Sequence, residues 1–444
     1  MQVFIDSRSI DLALKTGNQS AITLLKYSNS RVFEFIRSPF QSDENSLLNV
    51  PEYKISNLAP PAVRTIDAQT GRQSRNALFP YLDSDINATG CYVFNVQSLS
   101  PNQLDRMLQV FVQAVFNRNS EGTNLFVTED RDLLRKRLWF ESHFPGTRLN
   151  IVTSGEACEI MDLFAKYNDI YLLASNFITS KWLVYWLSFR TKIPFFHVPI
   201  RTSAASSLIS SNYLDGFSSR FVYLLMAVDE LGTQHYLGVN NNTEENSMYH
   251  FNYANGLISG VFDALALETR QKLTLSFERD DIPWKISLSN DTGGDFLRAL
   301  RDVNEPLRNH INQYVEYINL INELRQLSVH REGFQKVAYA YRGQEGETWT
   351  SIFIPTGLPL ANRIKTILGA NLMPYTSLTT SGVHEIPGMA YLHPFYFIKS
   401  ATSKLVDFSS RFLELLGYPN YIASVSDRPF KTQVEQYATN KLGF

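Results

Sequence analysis

A chain of 444 residues exceeds what one hydrophobic core usually organises, so two or three domains are expected. Hydrophobic residues make up 44% and aromatics 13%, which excludes a disordered chain and leaves ample material for packed cores. The 41 basic residues stand against 43 acidic ones, a formal charge of −2, so any contact with nucleic acid must be local rather than a broad neutralisation of phosphates.

The N-terminal MQVFIDSRSIDLAL lacks a basic segment followed by an apolar core, so no signal peptide is expected. Residues 2–6 (QVFID) read as a short buried strand. Residues 40–100 are rich in Asn, Ser, Pro and Asp and predict loops and short helices. From Pro101 onward, Leu104, Met107, Leu108, Phe111, Val112, Val115 and Phe116 mark one face of an amphipathic helix. A strand LFVT (125–128), a helix over 131–143, a strand LNIVT (149–153), a helix over 156–166 and a strand IYLLA (170–174) follow. This alternation predicts a doubly wound parallel sheet covering roughly residues 1–200. The apolar stretch 170–190 is interrupted by Lys181 and several polar residues, so it predicts a buried strand and a buried helix rather than a membrane span.

Residues 201–215 read as a linker, and FVYLLMAVD (221–229) with QHYLGV (234–239) as paired strands turning at Gly232, giving a linker and hairpin over 201–245. Residues 246–444 then form a mainly helical domain with a β insertion around 335–400. Its expected elements are a helix over 248–269, helical segments from 295 to 330, strands VAYAY (337–341) and TWTSIFIP (348–355), and helices 401–416 and 430–442. Cys91 and Cys158 are the only cysteines, which points away from a disulfide scaffold and towards the cytoplasm. No C-x-x-C or H-E-x-x-H zinc arrangement occurs.

Between Asn304 and His330 the apolar positions Leu307, Ile311, Tyr314, Ile318 and Ile321 form a single helical stripe. The next step along it lands on Arg325, a costly residue on a core stripe unless it is paired or faces a groove or partner. His330 lies five residues on, about 140° around an ideal helix, so one straight helix does not converge the two. The segment RQLSVH (325–330) resembles the Arg-x4–6-His motif of HEPN ribonucleases, helical bundles that commonly dimerise. The resemblance implies metal-independent RNA cleavage in a homodimer formed through the helical domain, with no cofactor at this site. His330 would transfer the proton, and Arg325 would hold the phosphate and its developing charge. Arg137–His143 matches the same spacing but falls in the α/β domain, and the aromatic that many members carry two positions after the His is Glu332 here. The structural alternative pairs Arg325 with Asp263 or Glu323 and leaves His330 merely to end the helix.

The N-terminal acids suggest a second site. Asp6 ends the first strand, and VTEDRDLL (127–134) runs from strand to helix with Asp130 and Asp132 two apart. This is similar to PIN-like domains, and with Glu44, or Asp43 in its place, it implies carboxylates gathered to hold Mg²⁺ or Mn²⁺ for phosphodiester hydrolysis. Strand-end aspartates are equally good helix N-caps. No Gly-rich phosphate loop follows the first strand, which argues against a dinucleotide or P-loop nucleotide site. The run RDLLRKR (131–137) reads as a solvated helix face. The expectation is therefore a cytoplasmic RNA endonuclease of a prokaryotic defence or toxin–antitoxin kind that does not engage a membrane. The alternatives are a metal-dependent PIN-like nuclease and a non-catalytic dimeric protein that binds nucleic acid or a ligand.

Overall fold

Strands in which every successive residue is buried belong to a sheet covered on both faces. Val3, Phe4 and Ile5, like Leu125, Phe126 and Val127, are wholly inaccessible, and they form the centre of the first sheet. The structure, a computed structural model, describes residues 1–28, 33–37, 62–66, 73–77, 93–95, 124–135, 149–167, 181–194, 212–237, 239–278, 280, 282–289, 293–330, 334–342, 348–373 and 376–418. They fall into two compact units, one built chiefly on residues 1–170 and one on 171–341 with 350–442.

The first unit opens with β1 (Gln2–Ile5), α1 (Ser7–Lys15), α2 (Gln19–Tyr27) and β2 (Glu34–Arg37). Asn18 caps α2 by accepting hydrogen bonds from the Ser20 and Ala21 amides at 2.9 and 3.2 Å. Three strands follow: β3 (Ala62–Ile66), β4 (Gln73–Ala77) and β5 (Val93–Asn95), in a separate sheet of order β4-β3-β5. The sequence predicts loops and short helices across 40–100; the described residues there are strands instead, since backbone pairing overrides a weak side-chain pattern. The unit continues with β6 (Asn124–Val127), α3 (Arg131–Arg135), β7 (Leu149–Val152) and α4 (Ser154–Tyr167). The main sheet is parallel in the order β2-β1-β6-β7, with Val3 opposite both Phe35 and Leu125. The chain leaves β1 to one side for β2 and returns to its other side at β6, so a topological switch point lies at the carboxyl ends of β1 and β6.

The second unit is predominantly helical. It contains α5 (Lys181–Lys192), α6 (Asn212–Tyr236), α7 (Asn241–Leu273), a 3-10 turn (Pro283–Lys285), α8 (Gly294–Val303), α9 (Glu305–Gln313) and α10 (Val315–His330). Then come β8 (Val337–Arg342), β9 (Thr348–Thr356), α11 (Leu358–Leu368), β10 (Val383–Ile386), β11 (Met389–Leu392) and α12 (Pro394–Leu415). The four strands form one sheet in the order β10-β11-β9-β8.

Two expectations are corrected in this unit. Segments 221–229 and 234–239 are not paired strands but lie in or just beyond the single helix α6. Phe221, Val222, Leu224 and Leu225 are buried while Tyr223 is exposed, a helical pattern that a nearly continuous apolar run hides in sequence. The stripe from Leu307 to Ile321 does not belong to one helix either, because the chain breaks at Tyr314 between α9 and α10. Beyond it Tyr317, Ile318, Leu320, Ile321 and Leu324 are buried, so Leu324 takes the core position and Arg325 turns outward.

Aromatic contacts knit the bundle. Phe189, Phe217 and Phe221 form a triangle with centroids 5.4–5.8 Å apart, and Phe262 of α7 meets Tyr317 and Phe408 edge-on. The buried Tyr317 hydroxyl donates to the Ala401 carbonyl at 2.6 Å, tying α10 to α12. Among the described residues no helix is long and apolar enough to cross a membrane. The helices expected over 101–116 and 430–442, the strand 170–174 and most of 201–215 lie outside the described residues.

Tyr317→Phe keeps the ring packing but leaves the Ala401 carbonyl without its donor, so it should cost about 1–2 kcal/mol of unfolding free energy. Phe262→Ala, which empties the junction of α7, α10 and α12, should cost about 3–5 kcal/mol. Urea denaturation measures both, and the two values should differ in that order.

Candidate functional site

At the switch point of the parallel sheet, side chains replace the ladder that ends there. Asp6 is fully buried directly after β1, and its Oδ2 accepts a 2.7 Å hydrogen bond from the Thr128 hydroxyl. Thr128 Oγ1 in turn accepts from the Asp130 amide at 3.0 Å and lies 3.1 Å from Ser9 Oγ. Ser9 Oγ accepts from the Glu129 amide at 2.9 Å. Glu129 Oε1 receives the Ser154 amide at 2.8 Å and the Ser154 hydroxyl, while Thr153 and Glu156 cap the same end of α4 reciprocally. Asp6 Oδ1 remains buried without a partner among the described residues.

The sequence-derived metal set meets this geometry only in part. Asp6 and Asp130 share the edge through Thr128, but Asp130 Oδ1 accepts from the Leu133 amide at 3.1 Å, the helix-capping role weighed as the alternative. Asp132 lies in α3 with its side chain outside the described residues, and Glu44 and Asp43 lie outside them altogether. Among the described residues no three His, Cys, Asp or Glu side chains form a group that could hold a metal ion. The orphan Asp6 oxygen is a suitable cation ligand; the described carboxylates alone do not complete a coordination shell.

The second candidate site lies along the seam of α7 and α10. Asn255, Ser259 and Asp263 recur every four residues on α7 and place a polar line beside Asn322 and Arg325 of α10. Ser259 is buried; its hydroxyl donates to Asn322 Oδ1 at 3.1 Å and accepts from Arg325 Nη1 at 3.2 Å. The same guanidinium nitrogen lies 3.9 Å from Asp263 Oδ2, and both charged side chains are about half exposed. Burial raises the Asp263 pKa, against the pull of Arg325 and of Arg220 on α6. Arg220 lies over Gly260, where a Cβ would approach its Nε to 2.7 Å, so a larger residue there would displace the Arg220 side chain.

Arg325 thus has Asp263 as its partner, one of the two acids named from sequence. The other, Glu323, pairs with Arg363 at 2.5 Å. His330 closes α10 with its side chain outside the described residues, as is the Arg137–His143 pair. Sequence reasoning missed Ser259, Asn322 and Arg220 here, and Ser9, Thr128, Glu129 and Ser154 at the sheet edge. The four-residue spacing of Asn255, Ser259 and Asp263 on α7 was the signal that could have found the seam.

An acid whose folded pKa is raised loses stability as pH climbs from its unfolded value through its folded one. Arg325→Ala removes a cation that counters the rise, so the Asp263 midpoint should move higher still in a carboxyl ¹³C NMR titration. The accompanying stability loss should be under about 1 kcal/mol, because the pair is solvent-screened, and larger above the midpoint than below it. An unchanged or lower midpoint would show that the ion pair does not form. No family model matches the chain, and neither a curated protein nor a solved structure matches it.

Proposed function

We propose that this chain is a metal-independent RNA endonuclease of the HEPN kind, working at the exposed α7–α10 seam. The observation that supports the reading is the state of Arg325, whose guanidinium is half exposed yet held in direction by Ser259 and Asp263. A guanidinium already oriented loses little entropy when it takes a phosphate, and it matches two phosphate oxygens at once. Arg220, the second cation acting on Asp263, adds charge to the same place, as a nearly neutral chain requires for a local contact with RNA. In the reaction the RNA 2′-hydroxyl attacks the adjacent phosphorus while His330 takes its proton; the bond from phosphorus to the 5′-oxygen breaks, leaving a 2′,3′-cyclic phosphate and a 5′-hydroxyl that gains its proton from water. Arg325 meets the charge that develops on the phosphoryl oxygens.

His330 lies five residues beyond Arg325. On one straight helix the two diverge by about 140°, so the proposal includes a homodimer that places pairs from two copies in one cleft. A cytoplasmic role in prokaryotic defence or in a toxin–antitoxin pair belongs to the same proposal and rests on the family resemblance. Arg325→Ala and His330→Ala should each reduce RNA cleavage in EDTA by at least about a hundredfold while leaving the circular dichroism spectrum intact. Wild-type cleavage in either folded variant would sink the reading.

A second reading is favoured by the buried, unpartnered Asp6 oxygen at the topological switch point. Here Asp6 and Asp130, with Glu44 and Asp132, would hold Mg²⁺ or Mn²⁺. The ion would supply Lewis-acid chemistry for phosphodiester hydrolysis. Asp6 would present Oδ1 while Thr128 fixes its other oxygen, which keeps the carboxylate in one orientation. This reading expects manganese-stimulated cleavage that EDTA stops and that Asp6→Asn abolishes. Activity that survives both Asp6→Asn and Asp130→Asn excludes it. A folded dimer that cleaves neither RNA nor DNA under either condition would leave the non-catalytic binding role.

A further inference from the structure

The packed pair α6 and α7 carries a surface pattern that reaches beyond the α7–α10 seam. The two helices are joined by a short turn over 237–240 and lie side by side. On α6, Tyr213, Gly216, Arg220 and Tyr223 recur at steps of three, four and three, which sets them on one face. On α7, Tyr249, Tyr253, Gly256, Gly260 and Asp263 recur at steps of four, three, four and three. None of these residues is buried. Among the described residues, every large hydrophobic side chain exposed on α6 and α7 is one of these tyrosines.

The rings form a cluster that spans the two helices. Tyr249 and Tyr253 stack with centroids 6.2 Å apart and planes only 16° from parallel. They are 64% and 41% exposed, so aromatic surface with a common orientation stands in water. Tyr223 of α6 is 43% exposed. Burial, with Tyr223 and Tyr249 beside it, raises the Tyr253 pKa, so the ring at the centre of the cluster carries no negative charge to repel a phosphate.

Three residues before Tyr223, the exposed Arg220 side chain lies across both helices. A Cβ on Gly216 would come 2.6 Å from its Nη1, and one on Gly260 would come 2.7 Å from its Nε. Glycine inside a helix is unfavourable, but here the missing side chains leave the space in which the guanidinium lies. At Gly256 a Cβ would meet nothing within 4 Å, so the surface between the guanidinium and Tyr253 is open. Asp263, one turn beyond Gly260, carries the strip to Arg325. From Tyr249 to Asp263 the strip is about 21 Å long at the rise of an α-helix. Arg220 and Arg325 outnumber Asp263 at one end, while at the tyrosine end Glu230 acts on His250. Aromatic faces at one end and guanidinium groups at the other match a strand that offers both bases and phosphates.

We propose that this strip holds single-stranded RNA, with bases stacked on Tyr249, Tyr253 and Tyr223 and a phosphate on Arg220, and leads the strand to Arg325. The inference rests on the endonuclease reading for its ligand, and its test reads binding in place of cleavage. Every base has a π-face, so stacking selects unpaired strands and tolerates any base order. A duplex hides those faces within its own stack and gives the tyrosines nothing to hold. A second copy of the chain laid on the strip would have to bury Arg220, a cost that a phosphate offsets by pairing with it. The strand crosses α6 and α7 before it meets Arg325, which sets the side from which the scissile phosphate arrives.

The test follows, by fluorescence anisotropy in EDTA, the binding of the full-length chain to a labelled mixed-sequence 2′-O-methyl RNA oligomer, which lacks the attacking hydroxyl. Wild type should bind it, and should bind the same strand without bases, or paired in a duplex, at least about tenfold more weakly. Tyr253→Ala and Tyr223→Ala should each weaken binding by about tenfold or more. Tyr253→Phe should stay within about twofold of wild type, because the ring and not the hydroxyl stacks. Arg220→Gln should lower the slope of log affinity against log salt by about 0.7, the share of one phosphate on a single strand. Thermal unfolding confirms that each variant is folded. Wild type that does not bind the oligomer overturns the proposal, as do folded tyrosine-to-alanine variants that bind like wild type; cleavage through Arg325 and His330 is then judged on its own test. Binding that depends on the tyrosines in a chain that never cleaves upholds the strip and rejects the endonuclease. If the tyrosine variants alter only the sedimentation of the chain, the strip is an interface between copies and the proposal is wrong.

Discussion

Polar side chains on a buried helix face must find partners inside the protein, and α7 is the element on which the second unit tests that constraint most severely. Some of its polar groups are satisfied locally. Thr269 returns its hydroxyl to the Leu265 carbonyl at 2.8 Å, and Asn255 gives its amide nitrogen to the Phe251 carbonyl at 3.0 Å while its oxygen has no partner among the described residues. Others reach outward. Glu268 takes the Tyr418 hydroxyl, whose ionisation is suppressed by burial and by that carboxylate. Ser259 is satisfied by Asn322 and Arg325 of α10, so the orientation of the half-exposed Arg325 guanidinium follows from the needs of a buried hydroxyl. A chemically useful surface group is in this way a by-product of core satisfaction.

The two units place polar chemistry by different physical means. In the first, strand ends expose backbone amides, and Thr128, Glu129 and Asp130 satisfy or redirect them, which collects carboxylates at one edge. In the second, helices expose no backbone along their sides, so polar groups gather where helices touch, as at the α7–α10 seam. Both kinds of place hold side chains in fixed directions, the condition that catalysis requires.

The legible parts of the sequence were those with a single dominant pattern. The β1, β6, β7, β8 and β9 runs are short, apolar and bounded by turn residues, and the structure contains each of them. Helix α6 was illegible because Val222, Leu224 and Leu225 leave little contrast between its faces, so neither a period of two nor of 3.6 stands out. The break at Tyr314 carries no glycine or proline, so no local propensity announces it. Arg325 was assigned to the core stripe by a step of four from Ile321, whereas the buried position is Leu324, a step of three. The pairing of Arg325 with Asp263 was legible as the need of a cation on a helix stripe for an acid partner, and the capping role of Asp130 was legible from strand-then-helix grammar.

The register of β1 also dictates a sequence of events at the ribosome. Gln2 pairs with Glu34 on one side and with Asn124 on the other. The first partner emerges soon after β1 itself, but the second requires roughly 120 further residues, or roughly 6–25 s at ordinary translation rates. Throughout that interval an apolar strand destined for the middle of a sheet is an open edge, able to pair with a neighbouring nascent chain. Synthesis of this protein therefore contains a fixed early window of aggregation risk, and its yield should depend more on chaperone supply during that window than on the stability of the finished fold.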